Sequence, residues 1–217
     1  ELLEALGLDL LIYAAFTPQV AQSSPQEFVQ HILVEKLHVQ QVVVGFNYSF
    51  GYRGAGTPEL LKQLGYQYGF NTVIIEPVKI NGQIVSSSSI RQALEQGDIE
   101  RAAEMLGSYP ILSGQVIKGE QRGRTIGFPT ANLSVDQELT IPANGVYAAL
   151  ASIGSLTVKA VVNIGRKPTF HEEFPTTVEA HLIDFDQDIY GQEMRLTFFK
   201  KIRDERKFNS IEDLTEQ

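Results

Sequence analysis

The chain has 217 residues, 43% of them hydrophobic, with no cysteine and a formal net charge of −8. Those figures supply a core for one large or two modest domains and exclude disulfides, thiolate nucleophiles and cysteine-ligated zinc. They also argue against a general nucleic-acid binder, whose phosphate-neutralising surface needs a basic excess. Apolar runs such as DLLIYAAF and QVVVGF fall far short of the roughly 18 residues that span a bilayer. The expectation is therefore a soluble cytoplasmic protein without a membrane partner. His31, His38, His171 and His181 show no close ligand spacing, which disfavours a histidine metal site.

Taken in chain order, ELLEALG reads as the last turns of a helix with its glycine stop and no initiating methionine. At the other end, in SIEDLTEQ, Ser210 reads as the N-cap of a helix that has barely begun. The chain is thus expected to be a fragment cut at both ends. Between them, DLLIYAAF reads as extended, SPQEFVQHILVEKLH as helical, QQVVVGF as extended, TPELLKQLGYQYG as helical and NTVIIEPV as extended. Continuous apolar strands alternating with amphipathic helices predict a Rossmann-like parallel sheet, with ligand loops beyond the carboxyl ends of its strands. Gly45, Asn47 and Gly51 occupy one such loop, which is either structural or ligand-binding. SSSSIRQALEQGDIERAAEMLG then reads as two short helices. Ser87 and Ser88 are placed just before the first helix, whose free N–H groups favour anions, and Arg91 adds a cation one turn in. Plain N-capping accounts for one serine but not for the arginine.

After Gly107 the texture changes to strands rich in Val, Thr and aromatics: YPILSGQVIKGE, GVYAALASI, LTVKAVVNIG, TTVEAHLIDF and EMRLTFFKKI. Strands at this spacing without intervening helices predict a small antiparallel barrel or sandwich, with a boundary near residues 107–112. Between the first two lies KGEQRGRTIGFPTANL. Gly119, Gly123 and Gly127 would let backbone N–H groups approach oxyanions, and Arg122 and Arg124 would spread their charge. The alternative is a long surface hairpin. A Walker A loop is rejected, because the spacing is one residue short, Arg replaces Lys and strands flank the loop. Pro129 restricts the backbone entering a Thr130–Asn132 turn, whose neutral oxygens suit magnesium carried on nucleotide phosphates. Glu179 interrupts the apolar alternation of TTVEAHLIDF, so it faces either solvent or a ligand cleft. Asp184, Asp186 and Asp188 lack the glycine and closing glutamate of an EF-hand and read as a solvated turn.

The loop together with GFPTANL resembles the riboflavin kinase family. IPANGVYAA, VVNIGRKPTF, VEAHLIDFDQDIYG and IRDERKFNSIEDL extend the resemblance over Ser113 to Gln217. Upstream, VVVGFNYSFGYRGAG and VSSSSIRQAL are similar to two motifs of the FMN adenylyltransferase domain in prokaryotic bifunctional riboflavin kinase/FAD synthetases. The resemblance implies an incomplete Rossmann-like nucleotidyltransferase domain over residues 1–107 and a β-barrel kinase domain over 108–217. It implies riboflavin, FMN and ATP as substrates, with Mg2+ as cofactor. Gly119, Gly123, Arg124, Gly127, Pro129, Thr130 and Asn132 would then bind ATP, Thr130 and Asn132 would hold the metal, and Glu179 would be the base for the ribityl 5′-hydroxyl. Arg203 would sit on a flap near flavin and nucleotide. Gly45, Asn47, Gly51, Ser87, Ser88 and Arg91 would line the adenylyltransferase pocket. The family's HxGH-type motif is absent from this sequence, so adenylylation by this fragment is expected to be impaired. The rivals are a non-catalytic flavin- or nucleotide-binding regulator and, against the net acidity, an OB-like nucleic-acid module. Oligomeric state is not legible in the sequence.

Overall fold

A computed structural model describes residues 2–119, 129–136, 138–166 and 176–206. The chain divides into two compact units, Glu1–Val78 and Lys79–Gln217.

The first unit opens with the short helix α1 (Leu2–Ala5) and holds a parallel pair of strands, β1 (Gln41–Gly45) and β2 (Asn71–Ile75), in register from Gln41↔Asn71 to Gly45↔Ile75. Helix α4 (Pro58–Tyr68) connects them. Its start is fixed by Thr57, whose hydroxyl accepts a hydrogen bond from the Leu60 N–H, and by Pro58 in the first turn; Gly69 ends it in the left-handed region at φ 83°. Leu61 and Leu64 turn inward with Val29, Phe50 and Phe70. Gly65 lets the helix close onto the sheet, since a Cβ there would lie 2.8 Å from the Phe70 carbonyl oxygen. Helix α2 (Pro18–Gln22) is followed by α3 (Pro25–Phe28), which starts at a reciprocal Ser24–Glu27 cap and runs on as a π-helical segment over Val29–Val34. The hydrogen bond from the Ser24 backbone N–H holds the Glu27 carboxyl below its ordinary pKa.

One expected strand is not formed. Residues 9–16, DLLIYAAF, carry no regular structure, and Tyr13 and Phe16 are 89% and 83% exposed. An apolar run becomes a strand only when a neighbour satisfies its backbone, and among the described residues the sheet of this unit consists of β1 and β2.

The second unit begins with the tight hairpin β3 (Lys79–Ile80) and β4 (Gln83–Ile84), turned by Asn81 and Gly82, both at positive φ. Helices α5 (Ser87–Gln96) and α6 (Ile99–Leu106) follow, separated by Gly97 at φ 76° and capped anew by Asp98. The rest is a closed antiparallel barrel, in the order β10-β5-β6-β9-β8-β7. Its strands are β5 (Ile111–Ile117), β6 (Thr130–Ser134), β7 (Gly145–Ile153), β8 (Leu156–Arg166), β9 (Thr176–Leu182) and β10 (Glu193–Arg203). Closure removes the exposed sheet edges, and alternation, interrupted in β10 by register shifts between Phe198 and Lys200 and between Lys201 and Arg203, fills the interior. Tyr147, Val162, Ile164, Ala180, Met194, Leu196 and Phe198 are buried there, with the Tyr147 and Phe198 rings edge to face at 5.6 Å. Ala93, Leu94, Ile99 and Ala102 of α5 and α6 join this same core. Packing therefore groups residues 79–106 with the barrel, upstream of the change in strand texture.

Lys201 packs across the join between helices and barrel. Its stem runs past Gly97 and Gly145, where a Cβ would lie 2.9 Å from Lys201 Cδ and 2.6 Å from Lys201 Cε respectively. Its ammonium pairs with Asp204 at 2.6 Å and holds that carboxyl below its usual range. Beside it the buried Tyr147 hydroxyl donates to the Ala143 carbonyl. Burial first, and the Asp204 charge second, push this phenol up to about 12.

Candidate active site

The period-two alternation of β9 sends Val178, Ala180 and Leu182 into the core and leaves Glu179 and His181 half-buried on the outer face. On β6, Leu133 is buried and Ala131 packs on the core, so Thr130 and Asn132 take the outer face. The register sets Asn132 opposite Glu179 and Thr130 opposite His181. Directly opposed residues of an antiparallel pair hold their Cβ atoms about 4.5–5.5 Å apart. These four side chains form a rectangle on the barrel wall, extended by Ile117, which pairs with Asn132, and Asn163, which pairs with Glu179.

Thr130 to Asn132 form the start of β6 and not the expected turn. Turn-forming chemistry loses here because both flanking strands, β5 and β9, supply ladder partners. Gly119 comes close to this strand: a Cβ there would meet the Asn132 side-chain amide, which would have to turn aside. The Pro129 carbonyl accepts a hydrogen bond from His181 Nδ1 at 2.9 Å. Gly123, Arg124 and Gly127 lie outside the described residues.

A cavity of about 460 Å³ touches one corner of the rectangle, Thr130; Pro129, Asp186, Asp188 and Tyr190 also border it, and its floor is the inward-facing Val116, Ala180, Leu182 and Ile189. Asp188 accepts from the Tyr190 backbone N–H at 3.1 Å, and Asp184 takes a left-handed conformation at φ 55°. The Lys118 ammonium lies 5.9 Å from the centre of the Tyr190 ring. Among the described residues, no group of three or more His, Cys, Asp or Glu side chains is arranged to hold a metal. The uncharged oxygens of Thr130 and Asn132 suit a magnesium ion that keeps most of its coordination from water and phosphate.

Arg203 ends β10, paired with Val146, and its guanidinium donates to the Asp204 carbonyl at 3.1 Å. The Glu205 carboxylate lies against Gly165, where a Cβ would displace it.

The other expected site residues fall on two units. In the first, Gly45 ends β1, with its Cβ position 3.4 Å from Asn47 Oδ1. Gly51, at φ 72°, abuts Pro25, and a side chain there would meet the proline nitrogen at 2.7 Å. In the second unit, Ser86 is the N-cap of α5, in a reciprocal arrangement with Ser89. Ser87 and Ser88 therefore lie inside the first turn and not before it. Arg91 Nη2 is 3.5 Å from Ser88 Oγ. His181, Asn163 and Tyr190 were not singled out from sequence. For His181 the available signal was its place two residues from Glu179, hence on the same face of the strand.

The riboflavin kinase family model matches residues 106–217 and the FAD synthetase model residues 1–89. The bifunctional riboflavin kinase/FMN adenylyltransferase of Bacillus subtilis is 39% identical over 218 residues, covering 99% of this chain and 68% of that protein. Its namesake from Listeria monocytogenes is 38% identical, covering 100% and 68%; the Escherichia coli K12 protein is 34% identical, covering 97% and 67%. A crystal structure described as a macrolide-efflux protein from Streptococcus pneumoniae superposes with a TM-score of 0.89 at 33% identity, over 99% of this chain and 68% of that one. Among the described residues here, no helix is long and apolar enough to cross a membrane. With one family model on the barrel, another on the N-terminal α/β region, and relatives aligned across both, the chain belongs to the bifunctional riboflavin kinase/FMN adenylyltransferase family.

Proposed function

We propose that the β6–β9 face transfers the γ-phosphoryl group of ATP to riboflavin, giving FMN and ADP, and that the full-length protein adenylylates FMN to FAD with release of pyrophosphate. The observation that carries the kinase assignment is the direct cross-strand pairing of Asn132 with Glu179, two ladder positions from Thr130 and on the same face. Glu179 accepts the proton of the ribityl 5′-hydroxyl as its oxygen attacks phosphorus, a role worth about 10²–10⁴-fold in rate. Thr130 and Asn132 would hold Mg2+, which neutralises charge on the phosphate oxygens when bound. Gly119 brings the backbone close to Asn132, and a cavity bordered by Thr130 has the volume of a small-molecule site.

In this reading residues 108–217 carry the kinase, with Arg203 at the root of its flap. Residues 1–107 carry adenylyltransferase elements at Gly45, Asn47, Gly51, Ser87, Ser88 and Arg91. The protein works on small molecules in the cytoplasm and binds no nucleic acid. The test is turnover of riboflavin, ATP and magnesium by the wild type and by Glu179→Gln. FMN should form with the first and fall at least 100-fold with the second. Undiminished FMN formation by the variant would remove Glu179 from the mechanism; binding of flavin without turnover by the wild type would favour a regulator.

A further inference from the structure

We infer that His181 is a positioning residue for phosphoryl transfer, tying the backbone that enters β6 to the strand that carries Glu179. The inference rests on reading the β6–β9 face as the kinase site. A carbonyl oxygen can only accept, so in the 2.9 Å contact between His181 Nδ1 and the Pro129 oxygen the ring nitrogen is the donor and carries a proton.

The location of this bond gives it its role. Thr130↔His181 is the last ladder pair of β6 and β9, and Pro129 stands one residue outside it. Pro129 offers no N–H for a further rung, and its carbonyl would otherwise be left to water. The imidazole of the residue that closes the ladder supplies the missing rung from its side chain. Thr130 is thereby held through its own pairing and through the carbonyl that precedes it. Thr130, Asn132, Glu179 and His181 form the four corners of one rectangle, so loosening this corner moves the Thr130 hydroxyl relative to the Glu179 carboxylate. Displacements of about 1 Å in a reacting array are costly, up to roughly 10²-fold.

The experiment compares steady-state FMN formation by the wild type, His181→Asn and His181→Leu, with the melting temperature of each. An asparagine amide nitrogen can reproduce the position and donor character of Nδ1, whereas leucine fills similar space without a donor. Leu should raise the KM for magnesium-ATP or lower kcat by roughly 3- to 10-fold, the range expected for one hydrogen bond. The KM for riboflavin should stay within about twofold, and Asn should restore most of the loss. If Leu fails to fold, His181→Gln, whose amide reaches the Nε2 position instead, takes its place with the same expectation. Wild-type kinetics in the donor-free variant, or Asn as impaired as Leu, would overturn the inference while leaving the kinase reading intact. A wild type inert toward riboflavin and ATP would remove both.

Discussion

The barrel and the β1–β2 pair are built from similarly apolar strands, yet they treat those residues differently. In β9, Val178, Ala180 and Leu182 are buried, and the residues between them face outward. In the first unit Val43 and Ile75 remain 55% and 48% exposed. Composition does not separate the two. A closed barrel has an inside to which one face of every strand must turn, whereas a two-stranded sheet buries only what its neighbouring helices cover. Closure also holds β6 in register with β9, which sets Asn132 directly opposite Glu179.

The comparison can be broken most severely by chemistry. Glu179→Gln should cut FMN formation by about 10²–10⁴-fold at an unchanged melting temperature, while Asn47→Ala in the first unit leaves it intact; equal losses in both would mean that the barrel face does not hold the kinase site. Next comes packing. Phe198→Ala, at a fully buried barrel position, should cost about 3–5 kcal/mol in urea unfolding, against roughly 0.5 kcal/mol or less for Val43→Ala. Alkali probes the same core more gently. The Tyr147 phenol is raised from 10.0 to about 12, so below pH 10 it is protonated in both folded and unfolded chains and its contribution to stability is complete. Between pH 10 and about 12 the unfolded chain alone releases the proton, and stability falls. Denaturation followed over that range should show the decline, and Tyr147→Phe should flatten it. The smallest effect separates neighbouring serines: Ser86→Ala should cost about 1 kcal/mol as loss of an N-cap, and Ser87→Ala only a few tenths, as measured by chemical denaturation.

Much of this architecture was legible in advance because its signals are local. GVYAALASI has the composition of a strand and forms β7 over Gly145–Ile153. The glycines after α4, α5 and α6 each take the left-handed conformation that ends a helix. Failures came where the deciding interaction is distant in sequence. Thr130–Ser134 carries turn-like residues at its start and becomes a strand through its pairing with β5 and β9, and DLLIYAAF has strand composition without a partner strand among the described residues. The pairing of Asn132 with Glu179 is likewise a matter of register between remote segments. Sequence offered both residues through resemblance, but not their adjacency. The four consecutive serines were ambiguous for a different reason, since any of them can cap. The deciding clue was the three-residue spacing of Ser86 and Ser89, which permits reciprocal bonding.

The seating of α5 and α6 on the barrel determines where the polypeptide tolerates severing. Excision at the change of strand texture would peel Leu94, Ile99 and Ala102 from partners that are themselves fully enclosed. The resulting kinase would carry an oily scar and would aggregate. It would also lose the Gly97 turn against which the Lys201 stem packs. A minimal kinase beginning at Lys79 would keep this lid and that packing.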